Sequence, residues 1–353
     1  MTPLGTLTIN KEDKVLRKLR SEVMLIRVTL RQPSKNKQSS RVAEEAAKRT
    51  GIDQRSVRAS LTRMKHENMD RHQKLLGEAR HFLSFRSTPY GEEGWRMIQV
   101  RYLPDVKSKL EEYKMKAEEL VHKIINEDYD SIREDAMSRL GDEFEWVDFP
   151  TREGLAKQYD FEICTKSFET GDNLQIKAAS EIVRNIEHEM NQRALETAEN
   201  ARQDVIDRTA ETVSIAVDVL ESYDQGKEEQ ERNAAEIKRL KKINYTKTGK
   251  SKAVVARYKS KVKAAIKHLK AIRPTVRNNG SAVENLKKLV GVFSEINVTG
   301  DEKVAKIGDT LKELMEEFNG DNTKEDKTIR RKCIETNKDI LTQLKDIKLV
   351  RFN

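Results

Sequence analysis

From Ala179 to Tyr223 the side chains that can pack recur every three or four residues: Ala179, Ile182, Ile186, Met190, Leu195, Ala198, Val205, Thr209, Val213, Ala216, Leu220 and Tyr223. Such spacing keeps one stripe of a 3.6-residue helix apolar for roughly ten turns or more. A helix of that length with one narrow apolar stripe is stable only if other helices cover the stripe, so the chain must supply them. They are legible downstream. Val255, Tyr258, Val262, Ala265, Leu269 and Ile272 step by three and four before Pro274. Val304, Ile307, Leu311, Leu314 and Phe318 do the same, and so do Cys333, Ile340, Leu344 and Ile347. These patterns predict a C-terminal helical bundle or antiparallel coiled coil, with Gly226 marking a break at the end of the long helix.

The first half of the chain reads differently. Val23, Leu25, Val28 and Leu30 form a β-branched apolar run that stops at Pro33, which predicts a strand. Trp95 to Val100 and Tyr159 to Phe168 predict two more. Helical patterns run from Lys11 to Arg20, from Asn68 to Phe85 and from Pro104 to Leu140, with two short helical segments joined around Gly51 between Gln38 and Met64. Asp142 to Pro150 reads as an irregular aromatic connection. The fold class is therefore mainly α: an N-terminal α+β domain with a small sheet over 1–170, a long connecting helix over 171–226, and a C-terminal bundle over 227–353.

Composition agrees with long helices that carry wide solvated faces, since charged residues make up 36% of the chain and aromatics only 5%. The formal net charge of +9 is unevenly placed. Residues 1–86 carry +11, residues 87–237 carry −17, residues 238–277 carry +15, and residues 278–353 are neutral. The third segment is the extreme one. Its fifteen cations are Lys238, Arg239, Lys241, Lys242, Lys247, Lys250, Lys252, Arg257, Lys259, Lys261, Lys263, Lys267, Lys270, Arg273 and Arg277, with no aspartate or glutamate among them. A polyanion would release counterions on meeting such a surface, so these residues are candidates for nucleic-acid contact, DNA ahead of RNA, with Tyr245 placed to stack on a base. The alternative is internal or homotypic: the basic segment could face the acidic residues 87–237 of the same or another chain.

A second nucleic-acid signal is local. Ala47, Gly51, Val57 and Leu61 are spaced like the core and turn positions of a helix-turn-helix, which would put Arg55, Arg58 and Arg63 on a DNA-reading helix.

Catalytic chemistry finds no comparable footing. Thr248-Gly249-Lys250-Ser251 resembles the end of a phosphate-binding loop, but the position that must be glycine is Asn244. The six histidines, His66, His72, His81, His122, His188 and His268, show no metal-binding spacing and read mostly as surface or boundary residues. Glu127, Asp128, Asp130, Glu134 and Asp135 lack the central glycine of a calcium loop and read as a solvated acidic helix face. The two cysteines, Cys164 and Cys333, fall in a predicted strand and on an apolar seam, which fits small hydrophobes in a reducing cytoplasm. No catalytic residue, metal or cofactor is expected, and neither a signal segment nor a membrane span of about eighteen apolar residues is read in the chain.

Several landmarks also carry a resemblance. They are the Val23 to Leu30 strand, Val42-Ala43-Glu44 through Gly51-Ile52-Asp53, Glu78-Ala79-Arg80 with Gly94-Trp95-Arg96, Arg139-Leu140-Gly141, Phe149-Pro150, and Tyr159-Asp160-Phe161-Glu162. From Val23 to about Tyr223 the chain resembles an uncharacterised protein family of tailed phages and integrative conjugative elements. The genes of that family often lie near a MoxR-type AAA+ ATPase, a von Willebrand-type partner and recombination genes. The resemblance implies no settled activity and gives the Val42 to Asp53 stretch no DNA-reading role. Together with the charge map it leads to the expectation of a non-enzymatic phage or mobile-element protein that contacts nucleic acid in DNA metabolism. Alternatives are an assembly or adaptor protein that docks an AAA+ ATPase or forms a homo-oligomer, and a structural virion component.

Overall fold

The computed structural model describes residues 11–92, 94–171, 180–242, 252–271, 280–318 and 326–348. The chain is mainly helical, with a small four-stranded antiparallel sheet and a two-stranded ribbon near its N-terminus, and it divides into two compact units, Met1–Ala201 and Arg202–Asn353.

In the first unit, helix α1 (Lys11–Glu22) leads directly into strand β1 (Val23–Arg31). A short ribbon of β2 (Asn36–Gln38) and β3 (Ser60–Thr62) brackets helix α2 (Ser40–Thr50), and α3 (Glu67–Phe85) follows. Then come β4 (Thr88–Pro89), β5 (Arg96–Gln99), α4 (Leu103–Lys123), a π-helical turn at Ile124–Asp128, α5 (Tyr129–Leu140), the short α6 (Arg152–Ala156) and β6 (Asp160–Ser167). The main sheet is antiparallel throughout, in the order β4-β5-β1-β6.

Register shows which β1 residues face α3 and α4, while Val23 and Leu25 are buried on the opposite side of the strand. Ile26 lies opposite Arg96 and Thr165, Val28 opposite Ile163 and Leu30 opposite Phe161, so these side chains share one face of the sheet. That face packs on α3 and α4: Ile26, Ile98, Leu83, Val106 and Leu110 form one cluster, and Leu76, Ala79, Ala117 and Phe161 form the next. A further core, built on Met64, Met69, Ile124, Tyr129, Ile132, Phe149 and Leu155, ties the α4–α5 junction to the irregular Gly141–Pro150 connection.

The predicted pair of helices between Gln38 and Met64 is half correct. α2 forms, capped by Ser39, whose side chain accepts from the Val42 N–H, and closed by Gly51 in the left-handed conformation at φ 68°. No second helix follows it. Gln54–Ser56 is a single 3-10 turn, and the backbone of Ser60–Thr62 is engaged by the ladder to β2. The N–H groups of Arg63 and Met64 both donate to the Lys35 carbonyl, and Met64 is completely buried in the cluster with Tyr129 and Phe149. Pairing between segments far apart in sequence here outweighs a local spacing compatible with a helix.

The long helix is present as α7 (Ser180–Lys241), 62 residues that pass through the boundary between the units. Gly226 does not break it. That glycine is buried inside an unbroken helix, at a local cost of about 1 kcal/mol relative to alanine. The second unit adds α8 (Lys252–Ala271), α9 (Gly280–Ile296), α10 (Glu302–Glu317) and α11 (Lys327–Lys348). Its core draws Val205, Val213 and Ala216 from α7, Leu286 and Phe293 from α9, Val304, Ile307 and Leu311 from α10, and Ile340 and Leu344 from α11. A continuation carries Val217, Leu220, Leu314, Phe318 and Cys333. The bundle is thus built by α7, α9, α10 and α11.

Two ion pairs sit inside that bundle. Arg202 Nε meets Asp301 Oδ2 at 2.8 Å while its Nη2 donates to the Ile347 carbonyl at 2.9 Å, and Arg330 Nε meets Asp224 Oδ1 at 2.6 Å. Arg202 and Arg330 are both buried, so these pairs favour one register of α7 against α10 and α11.

Candidate nucleic-acid interface

The basic segment divides into two described stretches. Lys238, Arg239 and Lys241 occupy the last turn of α7, with Lys242 directly after it, and all four are exposed. Arg239 lies 3.7 Å from Glu236 across one turn, an exposed pair of little energetic weight. Lys247, Lys250, Arg273 and Arg277 lie outside the described residues, as do Tyr245 and the Thr248 to Ser251 string.

Lys252 opens α8, and the helix then presents Arg257, Lys259, Lys261, Lys263, Lys267 and Lys270, every one exposed. The helix contains no carboxylate. Among the described residues Arg257, Lys261, Lys263, Lys267 and Lys270 form no ion pair. Lys259, Lys263, Lys267 and Lys270 are spaced by four, four and three, which sets them along one side of the helix over about 16 Å of its length. Arg257 and Lys261, four apart, make a shorter row on another side.

The seam predicted on this helix finds no core. Val255, Val262 and Leu269 are half-buried, Ala265 is exposed, and Tyr258 keeps 55% of its surface, while Ile272 lies outside the described residues. Ile266, at the same side, is half-buried too. Of the α8 side chains described, none is fully buried, so the helix carries a cationic side in solvent and a half-buried apolar side. Tyr258, expected to pack, is exposed and bordered by cations.

The proposed reading helix is corrected. Arg55 lies in the 3-10 turn, Arg58 in the extended segment after it, and Arg63 past the end of β3, so the three share no helix. Arg55 and Arg58 are exposed. Arg63 is committed to the fold: its guanidinium donates to the carbonyls of Ser34 and Asp148 and lies 6.0 Å from the Phe149 ring centroid. An arginine spent on two backbone carbonyls is a brace between loops.

The acidic run after α4 is likewise engaged. Asp128 accepts from Asn68 Nδ2, Asp130 pairs with Arg152, and Asp135 pairs with Arg139. Among the described residues no group of three or more histidine, cysteine or carboxylate side chains is gathered to hold a metal ion. Cys333 is fully buried, with its thiol pushed up to about 11 by burial, against a smaller opposing effect of the Asn337 amide. Cys164 is half-buried on β6.

Sequence reasoning missed His72. It is 3% exposed on α3, and burial, reinforced by Lys35, pulls its pKa down to about 4, so its ring is neutral at physiological pH. Its spacing of four from Leu76 and seven from Ala79, both core residues, is the signal that was available.

Comparison of the chain with protein-family models, with curated proteins and with solved structures gives no match. No helix among the described residues is long and apolar enough to cross a membrane.

Proposed function

We propose that this chain is a non-enzymatic accessory protein of a phage or mobile element, and that it holds nucleic acid, DNA ahead of RNA, against α8 and the end of α7 in the host cytoplasm. One observation carries the reading: α8 keeps six cations exposed on a helix that has no carboxylate of its own. Within the second unit, Arg257, Lys261, Lys263, Lys267 and Lys270 form no ion pair among the described residues. Cations left in water attract phosphates through counterion release, a sequence-independent effect suited to DNA metabolism without base reading. Arg55 and Arg58 can add backbone contacts, but they provide no helix for a major groove.

Fluorescence anisotropy with labelled single- and double-stranded DNA tests the reading. Charge reversal at Lys259, Lys263, Lys267 and Lys270 is expected to abolish binding while circular dichroism retains its helical signal. Undiminished binding by that variant rejects the surface.

The half-buried Val255, Val262, Ile266 and Leu269 favour a second reading, in which α8 docks on an acidic helical partner such as an AAA+ ATPase or a second copy of the chain. Light scattering that reports a stable oligomer, together with DNA binding that ignores the four lysines, would select it.

A further inference from the structure

The two edges of the main sheet differ in character. At one edge β4 is two residues long and includes Pro89, so it offers little backbone to a further strand. At the other edge β6 runs for eight residues, Asp160–Ser167, contains no proline or glycine, and pairs with β1 in unbroken register along its whole length. An edge strand turns every second backbone N–H and C=O away from its neighbour. Among the described residues no segment other than β1 is hydrogen-bonded to the β6 backbone. None of the residues from Glu162 to Ser167 is fully buried, whereas Val23, Leu25 and Ile26 of the neighbouring β1 are. A long, regular edge of this kind is a template for another strand, and folds commonly blunt it with short strands, proline or bulges. This sheet is blunted at β4 and left open at β6.

We propose that β6 is the interface of a two-fold dimer, in which β6 of one copy pairs antiparallel with β6 of a second copy and the two main sheets join into one. The side chains select this occupant and its register. Glu162, Cys164 and Lys166 alternate onto one face of the sheet, opposite Thr29, Arg27 and Leu25 of β1. Antiparallel pairing centred on Cys164 sets Cys164 against the partner's Cys164, and by symmetry it sets Glu162 against the partner's Lys166 twice. On the other face Ile163 meets the partner's Thr165, a β-branched pair. A slip of two residues, the smallest that keeps side chains on their faces, is poorer either way. In one direction Lys166 meets the partner's Asp160, which Arg31 already holds at 2.8 Å, and in the other Lys166 meets no carboxylate. Glu162 is exposed and forms no ion pair among the described residues, so its charge is open to the partner's Lys166. Lys166 lies 2.8 Å from Glu92 in an exposed pair, and sharing it costs little.

Sedimentation equilibrium of the full-length protein over a concentration series is expected to show a monomer–dimer equilibrium. Charge reversal at Lys259, Lys263, Lys267 and Lys270 should leave that equilibrium in place, which separates pairing through β6 from docking through α8. Brief oxidation with copper phenanthroline, used only as a probe of proximity, should join two copies through Cys164, with the linked peptide identified by mass spectrometry; Cys333 is fully buried and should not take part. Glu162→Lys turns two attractive cross-strand pairs into two repulsive ones and should weaken dimerisation at least about tenfold. Adding Lys166→Glu restores opposite charges and should recover most of the loss. Circular dichroism checks that both variants fold, and the wild-type cross-link decides the matter if one does not. A protein that stays monomeric at every concentration overturns the proposal, even if its β6 amides resist hydrogen exchange, which would assign the edge to a different chain. A dimer that forms no Cys164 linkage, or that Glu162→Lys leaves intact, overturns it too.

Discussion

Asp301→Ala is expected to destabilise the second unit by about 4 kcal/mol. Asp301 does two things at once: it caps α10 by accepting from the N–H groups of Lys303 and Val304, and it faces the buried Arg202 guanidinium at 2.8 Å. Loss of a helix cap costs about 1 kcal/mol. Loss of one partner of a buried ion pair costs about 3–5 kcal/mol, and the contact from Arg202 Nη2 to the Ile347 carbonyl, which survives the substitution, holds the sum toward the lower end. Replacing Arg202 by Met as well removes the buried charge and should return a good part of the loss. Both tryptophans, Trp95 and Trp146, lie in the first unit, so their fluorescence follows that unit while far-ultraviolet circular dichroism follows helix in both. The circular-dichroism midpoint in urea should fall and the tryptophan-detected midpoint should hold. Acid titration gives an independent check. Burial alone would raise the Asp301 pKa, but it is outweighed by the Val304 N–H, the Arg202 guanidinium and the Lys303 N–H, and the carboxyl stays below its ordinary value. A folded pKa below the unfolded one gives stability that is complete above the unfolded pKa and is lost as pH falls through the folded one. The wild type should therefore lose this contribution in acid, and the Asp301→Ala variant should lack that part of the pH dependence. A single variant as stable as the wild type, or a double variant no better than the single, refutes the assignment.

Other substitutions test the fold at separate points. A Cβ at Gly308 would overlap the Phe293 ring, so Gly308→Val should cost about 1–3 kcal/mol in chemical denaturation. Arg63→Met removes two bonds to loop carbonyls and should lower the thermal midpoint while leaving DNA affinity unchanged; weakened binding without loss of stability would restore Arg63 to a nucleic-acid role. Thiol titration of the native protein should modify Cys164 well before Cys333, whose thiol is buried and held up to about 11.

Much of the architecture was legible because it is written in short-range periodicity. The stripe from Ile182 to Tyr223 appears as α7, and the β-branched run beginning at Val23 appears as the central strand of the sheet. Errors arose where a local pattern had to be weighed against a distant partner. Val57 and Leu61 fit a helical spacing, yet the pairing of residues 60–62 with 36–38 has no local signature. Gly226 reads as punctuation by propensity, although bundle packing carries the helix through it. On α8 the periodicity established an amphipathic helix but held no information on whether a partner for its seam existed in the chain. The run of cations on α8 could be counted in the sequence, since charge needs no tertiary context, but its exposure could not. The burial of His72 was legible only in part: its spacing from Leu76 and Ala79 puts it on the buried face of α3, but the Tyr159 ring against it comes from a distant segment.

The claim on which the functional account depends is that the α8 lysines meet phosphates, and the salt dependence of DNA affinity tests it most directly. If about six cations are engaged, log affinity should fall against log salt with a slope near about −5, and neutralising Lys259, Lys263, Lys267 and Lys270 to Gln should flatten the slope by about 3 to 4. An identical slope for the wild type and the neutralised protein, or no measurable binding at low salt, would contradict it.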